Sequence, residues 1–408
     1  MGINTLDKVG KLVSDPKWQM GLAVAAKYLR FWSRFIGELG SGAAIVRRKV
    51  AGGKGGTAYK VPLVGKLRGA GVKGEEELEG KEEVVGSNFM EVTCGKRRHG
   101  VAHTETANWS SVVDLGNFSN SALGEWAAIT QDDMVWQAIF ETVARIFSGD
   151  AKSQTEISAD DIFSTTTIKR AKLALQRRGG KPANVRVDTD GKTVASYNMV
   201  ISSIDAANLQ ADPKWVNAQQ TAGARGSDNA LFTGALGRYN GVDIYVYEDR
   251  EGVGSALRPE CVVEGSLAAN ATTIVVGSAD DNIDHTQWFA ESGLLRIGEE
   301  VISYTGKTKY SFTGCSRAAK STTAAAHTDG SCVTQNNLTR QVIFGAEAIA
   351  EALGQEPCYS SESRDYGERR GVAIKLIDGY RAVHDKDGKV TGLLVCESYG
   401  ADETNVVG

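Results

Sequence analysis

The residues whose types and spacing could do chemistry are few. His99 and His103 stand four apart, a spacing that on a helix would turn two imidazoles toward one metal ion. Their surroundings, with Arg97 and Arg98 alongside, read as strand instead. Glu75, Glu76, Glu77 and Glu79 form an acidic cluster that could gather divalent cations or serve as a solvated, salt-paired loop tip. Gly52, Gly53, Gly55 and Gly56 could cradle a phosphate with backbone N–H groups, but no helix pattern follows them, so they read as a hinge. Gly191-Lys192-Thr193 and Gly306-Lys307-Thr308 fail the phosphate-loop spacing, because Arg186 and Val301 stand where its first glycine is required. Neither a Gly-x-Ser-x-Gly nucleophile turn nor a His-Glu-x-x-His zinc helix occurs. No catalytic residue, no cofactor site and no metal ligand is assigned, and the expectation is that the protein is not an enzyme.

Composition points to a role in assembly. The 408 residues, 41% of them hydrophobic, allow two or three packing units with real cores. The net charge of −4 does not suggest a nucleic-acid binder. The charge is nevertheless unevenly spread: residues 1–73 carry 14 Lys/Arg against three Asp/Glu, and Glu75 to Glu91 carry seven Glu against one Lys. Such polarity favours complementary contact between copies, with two solvated surface runs as the alternative. Six cysteines lack any C-x-x-C pair and read as free thiols of a reducing cytoplasm. The N-terminus lacks a signal-peptide core and no apolar run approaches ~18 residues, so no membrane partner is expected.

The elements that must position these residues follow from periodicity. Asp15-Pro16 is a helix start, and Trp18, Leu22, Ala25, Leu29, Trp32, Ile36 and Leu39 lie on one face beyond it. That face could dock on protein or lie on a membrane. Tyr59–Val64 and Phe89–Val101 read as the two strands of a long arm that has too few apolar residues for its own core. Helical pattern resumes near Trp109, is interrupted at Gly116-Asn117, and restarts at a capping box of Thr130 and Asp133. Ser158 and Asp161 open a further helix that Gly179-Gly180 stops. Asp212-Pro213 repeats the helix-start chemistry of residues 15–16, and Tyr239-Asn240-Gly241 turns into the strand Val242, Ile244, Val246. Residues 258–337 read as a small β domain with strands at Thr272–Val276, a hairpin at Leu294–Tyr304 turning near Gly298-Glu299, and Cys332–Thr334. Val342, Ala346, Ile349 and Leu353 then read as one helical face, followed by strands from Gly371 to Glu397.

Several stretches carry a resemblance. Val61-Pro-Leu-Val-Gly-Lys-Leu67, Gly71-Val-Lys-Gly-Glu75 and Leu78-Glu-Gly80, with Lys96-Arg-Arg-His99 after them, resemble the extended loop of a tailed-phage major capsid family found in podoviruses. Trp215, Ala218-Gln219, Arg225-Gly226, the run from Asn229 to Gly237 and Tyr239-Asn-Gly-Val242 resemble the same family, as does Ile343-Phe-Gly-Ala-Glu-Ala348. Residues 258–337 stand outside the resemblance as an insertion. Gly293-Leu-Leu-Arg-Ile-Gly298, Ile302-Ser-Tyr-Thr-Gly306, Phe312-Thr-Gly-Cys-Ser-Arg317 and Ala324-Ala-Ala-His327 within it resemble a β module of phage structural proteins.

The resemblance implies an α+β, HK97-like capsid fold. Its expected parts are an N-terminal arm at 1–50, an extended two-stranded loop at 51–104, a peripheral domain with spine helix at 105–182, an axial domain at 183–257, the inserted β domain at 258–337 and an axial/peripheral return at 338–408. It implies a major capsid protein in the virion, assembled in the host bacterial cytoplasm as hexamers and pentamers around double-stranded DNA. The expected partners are other copies, a scaffolding protein, the portal protein, packaged DNA by non-specific contact and a possible cement protein. A bacterial encapsulin-type shell and a phage adhesin or tail protein are the alternatives. Contacts between copies are expected at Glu75, Glu76, Glu77 and Glu79, at Arg47, Arg48 and Lys49, and at Trp18 and Trp32.

Overall fold

The computed structural model describes residues 30–49, 58–64, 71–74, 76–77, 79, 82, 87–111, 114–142, 144–187, 193–221, 236–247, 256–278, 283–385 and 388–401. The chain divides into two units, Met1–Glu141 with Glu347–Val390, and Thr142–Ala346 with Thr391–Gly408. The expected helix from Asp15-Pro16 lies outside the described residues up to Leu29; from Phe31 to Phe35 the chain forms a short 3-10 helix.

The first unit is built on a five-stranded sheet. Its order is Ile36–Gly37, Ile45–Lys49, Ile349–Arg364, Arg369–Ala382, Gly95–Thr104. Across one face runs a helix pair, α1 (Glu105–Ser110) and α2 (Leu115–Phe140). At 1.5 Å per residue α2 is about 39 Å long. Leu123 and Ala127 of α2 pack on Ile374 and Leu376 of the sheet. The interruption expected at Gly116-Asn117 falls earlier, between Ser110 and Leu115. The reason is that Asp114 caps α2, accepting from Gly116 N at 2.9 Å and from Asn117 Nδ2 at 2.8 Å. The capping box expected at Thr130 does not form either. Thr130 Oγ1 donates back to Trp126 O at 2.8 Å inside a continuous helix.

The two-stranded arm is shorter than expected and better anchored. Ala58–Val64 pairs antiparallel with Ser87–Thr93, but Gly95–Thr104 leaves the arm and joins the main sheet against Arg369–Asp378. The root of the arm has apolar support: Met90 and Val92 pack on Ala350 and Ala352. Gly379 makes this approach possible, since a Cβ there would collide with the Thr93 carbonyl oxygen.

The second unit holds a mixed sheet in the order Arg145–Phe147, Leu393–Tyr399, Leu338–Phe344, Thr193–Ser202, Val242–Tyr247, Gly237–Tyr239, with Asn184–Val187 paired to Thr193–Ser202. Helices α3 (Thr165–Arg177), α4 (Ser203–Ala211) and α5 (Pro213–Thr221) cover one face. There Ile168, Leu175, Leu209 and Trp215 meet Met199, Ile201, Ile244 and Ile343. Side chains alternate along a strand, so Arg340 lies on the opposite face, where its Nη1 donates to Trp288 O at 2.9 Å. The helix expected from Ser158 and Asp161 begins at Thr165. Asp212, distant in sequence, accepts from Thr165 N and Oγ1 at 3.0 and 2.7 Å and so fixes that start. The helix expected over Val342–Leu353 is instead the strand Leu338–Phe344 and the beginning of Ile349–Arg364. Among the described residues no helix is long and apolar enough to cross a membrane.

Residues 260–334 form two small sheets of their own, with Glu260–Val262, Cys332–Thr334, Gly293–Ile297 and Glu300–Tyr304 in one and Thr273–Val275, Ser311–Thr313 and Gly306–Lys307 in the other. Ile274, Phe289, Leu295, Ile302, Phe312 and Val333 pack between them. Glu300 holds the loop after the second sheet. Its carboxylate accepts from Arg317 Nε and Nη2 at 2.8 and 2.6 Å, from Ala318 N at 3.3 Å and from Ala325 N at 3.1 Å, and it lies 2.8 Å from His327 Nε2. Burial alone would raise this carboxyl, but the Arg317 and His327 contacts with the two backbone donors hold it down, from 4.5 to about 2.

A depressed folded-state pKa contributes stability that is complete above the unfolded value and is lost as pH falls through the folded one. The 260–334 region should therefore keep its protection from hydrogen exchange down to pH 4.5 and lose this contribution as pH approaches about 2. Glu300→Gln should cost on the order of 3 kcal/mol at neutral pH, read as faster exchange of the 300–327 amides.

Candidate assembly surface

In the first unit two of the expected contact residues, Arg47 and Trp32, sit at one buried ionic network. Three carboxylates from three elements, Asp132 on α2 and Glu351 and Asp378 on the central strands, have no solvent exposure beyond 1%. Three arginines answer them. Arg47 clamps Glu351 with Nε to Oε2 at 2.8 Å and Nη2 to Oε1 at 3.1 Å. Arg30 lies 3.6 Å from Asp132 and 3.5 Å from Glu351 and donates to Tyr380 Oη at 2.8 Å. Arg97 Nη1 donates to Asp378 Oδ1 at 2.7 Å, and Gln131 Nε2 to Asp378 Oδ2 at 3.1 Å. The Tyr380 hydroxyl stands 2.8 Å from Glu351 and 3.3 Å from Asp378, and so joins the two halves. Burial pushes the Asp378 carboxyl up against the pull of Gln131 and Arg97, while the Glu351 hydrogen bond raises Arg47. Burial likewise raises the Tyr380 phenol.

This network also fixes the segment at Phe31 and Trp32. Asp132 accepts the backbone N–H of Phe31 at 2.8 Å and of Trp32 at 3.4 Å. Trp32 then packs edge-on against Trp136 of α2, with ring centroids 4.8 Å apart. Trp32 was expected at a contact between copies, but at 0% exposure its side chain is spent inside the unit. Arg47 likewise turns inward to Glu351, whereas Arg48 and Lys49 are exposed, Lys49 Nζ lying 3.3 Å from Glu356. Glu76, Glu77 and Glu79 are exposed on the segment between the arm's strands; Glu75 and Trp18 lie outside the described residues.

Sequence reasoning missed the largest exposed apolar groups. Trp109, on the six-residue α1, is 86% exposed, and Phe118, Tyr359 and Tyr366 are exposed in the same unit. The available signal was an aromatic residue on a helix too short to bury it.

His99, one of the two spaced histidines, stacks on Trp126 with centroids 5.0 Å apart, and burial lowers the pKa of His103. Among the described residues no three His, Cys, Asp or Glu are grouped to hold a metal ion. Burial raises the thiols of Cys94, Cys261 and Cys315, and that of Cys396 to about 12, so these stay protonated and weakly nucleophilic.

A family model described as phage capsid protein matches residues 137–399. Three solved structures are similar over nearly the whole chain. The capsid of Ralstonia phage GP4 has 19% identity and a TM-score of 0.62, covering 96% of this chain and 98% of its own. The head of Helicobacter pylori bacteriophage KHP40 has 13% identity and a TM-score of 0.61, covering 95% and 96%. The cyanophage Pam1 capsid has 15% identity and a TM-score of 0.58, covering 91% and 92%. At these identities the structures speak for a shared HK97-like fold. No curated protein matches the sequence.

Replacing Glu351 by Gln leaves Arg30 and Arg47 facing an uncharged amide in a dry site. The expected cost is about 3 kcal/mol in urea unfolding, accompanied by faster hydrogen exchange of residues 30–35 and 45–49.

Proposed function

The chain belongs to the phage capsid protein family, and on that premise we propose that it is the shell subunit that closes, as hexamers and pentamers, around the double-stranded genome of a tailed phage. The observation that carries this is the family match over 137–399; the fold, alike to phage capsids from end to end, supports it. The arm rooted on Met90 and Val92 crosses onto an adjacent copy, and its exposed Glu76, Glu77 and Glu79 meet basic residues there. Arg48 and Lys49, both exposed, are of the right charge to receive such a neighbour. Trp109 and Phe118 add apolar surface that a single copy leaves uncovered. The second unit supplies the capsomer body, and the 260–334 region is a β module facing the outside of the shell. Its own core and its excess of Asp and Glu over Lys and Arg support that placement. A scaffolding protein guides assembly, the portal occupies one vertex, and a cement protein is a further possible partner at the outer surface.

Exposed ion pairs contribute only ~0.2–1 kcal/mol each, but repetition over a shell lets a small preference select register. Reversing Glu75, Glu76, Glu77 and Glu79 to Lys should leave the subunit folded by circular dichroism and stop closed particles from forming in electron micrographs. Normal shells at low and moderate salt would contradict the arm contact; a wild-type protein that stays monomeric in its host would contradict the shell itself.

A further inference from the structure

One helix of the second unit carries an exposed face rich in cations, on which Arg170 donates to Gly149 O at 2.8 Å and Lys169 lies over the Tyr239 ring. Between Asp161 and Asp188 the sequence has seven Lys or Arg and no Asp or Glu, in a chain whose net charge is −4. Most of these cations fall on or just after α3. Ile168, Ala171 and Leu175 bury one side of the helix against the sheet. Lys169, Arg170, Leu173, Gln176 and Arg177 are exposed on the other, and at 3.6 residues per turn they fall within about a third of the helix circumference. Neighbours three and four residues away on α3 offer these cations no carboxylate. Leu173 is 55% exposed in the middle of them. Arg178 and Lys181 extend the charge past the helix end.

The position of this stripe in the fold gives it a direction. The helix packs on the Ile343 face of the sheet, together with Met199 and Ile201. The neighbouring Arg340 points to the opposite face, where it donates to the carbonyl oxygens of Trp288 and Ala256 at the base of the 260–334 module. The sheet therefore separates a basic helical surface from an acidic β module. A shell around a genome makes the same separation, with polyphosphate on one side only.

We infer that the exposed basic face of α3 lines the inner surface of the shell and meets the phosphodiester backbone of the packaged duplex. The contact is electrostatic and independent of base sequence, as long cations on one helical stripe reach phosphates without entering a groove. This rests on the shell reading above, and it adds which face looks inward and which residues touch the genome.

The test uses the full-length unassembled subunit and a short duplex DNA, with affinity followed as a function of salt. Lys169→Gln, Arg177→Gln and Arg178→Gln together keep helix-forming residues and remove three phosphate partners. The slope of log affinity against log salt should then become shallower by about 2.7, at about 0.9 per contact. A control carrying Lys309→Gln and Lys320→Gln on the module should keep the wild-type slope. Wild-type protein that does not bind the duplex, equal slopes for wild type and the triple variant, or an equal loss in the control would overturn the inference. A greater loss of affinity for a glutamate-rich peptide than for the duplex would also overturn it, and would assign the face to an acidic protein. Cryo-electron microscopy of filled heads separates the two readings: shells with α3 outside sink this inference alone, whereas the absence of shells sinks the reading on which it rests.

Discussion

Everything in the first unit leans on the neutralisation of three buried carboxylates. Asp132, Glu351 and Asp378 come from residues far apart in the chain, and each would be prohibitively costly to bury charged and alone. Arg30, Arg47 and Arg97 reach them from the chain's entry into the fold, the second strand and the edge strand. The network thus ties five elements together: the segment at Arg30, the second strand, the long helix, the central hairpin and the strand that follows the arm. A hydrophobic core would hold them as firmly, but it would not fix which residue faces which. For a capsid subunit that assembles with copies of itself, that specificity is the useful property.

The second unit solves a related problem differently. Its sheet is covered on one face by helices around an apolar core and carries a polar knot at one end. Asp205 accepts from Ser202 Oγ at 2.7 Å, Thr339 Oγ1 at 2.8 Å and Gln341 Nε2 at 2.9 Å. Burial still raises its pKa. On the other face Arg340 is the joint with the β module; burial lowers it to about 10 despite Glu397 nearby. Because the module has its own core, the joint can be local and polar while the larger sheet keeps its shape. The fold accordingly presents an acidic module and a basic helix on opposite faces of one sheet.

Local chemistry was legible in the sequence, and non-local chemistry was not. Asn240 and Gly241 take φ values of 50° and 73°, the left-handed turn that their residue types announce. Asp212-Pro213 opens α5 as its pattern predicts, and the hairpin turning at Gly298 forms as read. Leu338–Phe344 was misread because all seven of its residues are buried; a strand covered on both faces loses its period of two and mimics an apolar helix. The start of α3 was misplaced because its capping carboxylate, on Asp212, comes from another part of the chain. The site was the least legible part. Arg30 and Glu351 are 321 residues apart, and nothing in either neighbourhood marks them as partners. Trp32 was expected at a contact between copies and is buried inside the unit instead; a tryptophan beside basic residues looks alike whether it packs inward or outward. The family, by contrast, was legible through short ordered stretches that survive where overall identity does not.

The three carboxylates and three arginines act as one unit, joined through Tyr380, and not as separate pairs. A double-mutant cycle between Arg30→Met and Arg97→Met addresses it directly, because these two arginines form ion pairs with different carboxylates and are joined through the Tyr380 hydroxyl and the field of Arg30 at Asp378. Unfolding of the unassembled subunit in urea should give a coupling energy above about 0.5 kcal/mol. Effects that add to within about 0.3 kcal/mol would contradict the claim and reduce the network to independent ion pairs.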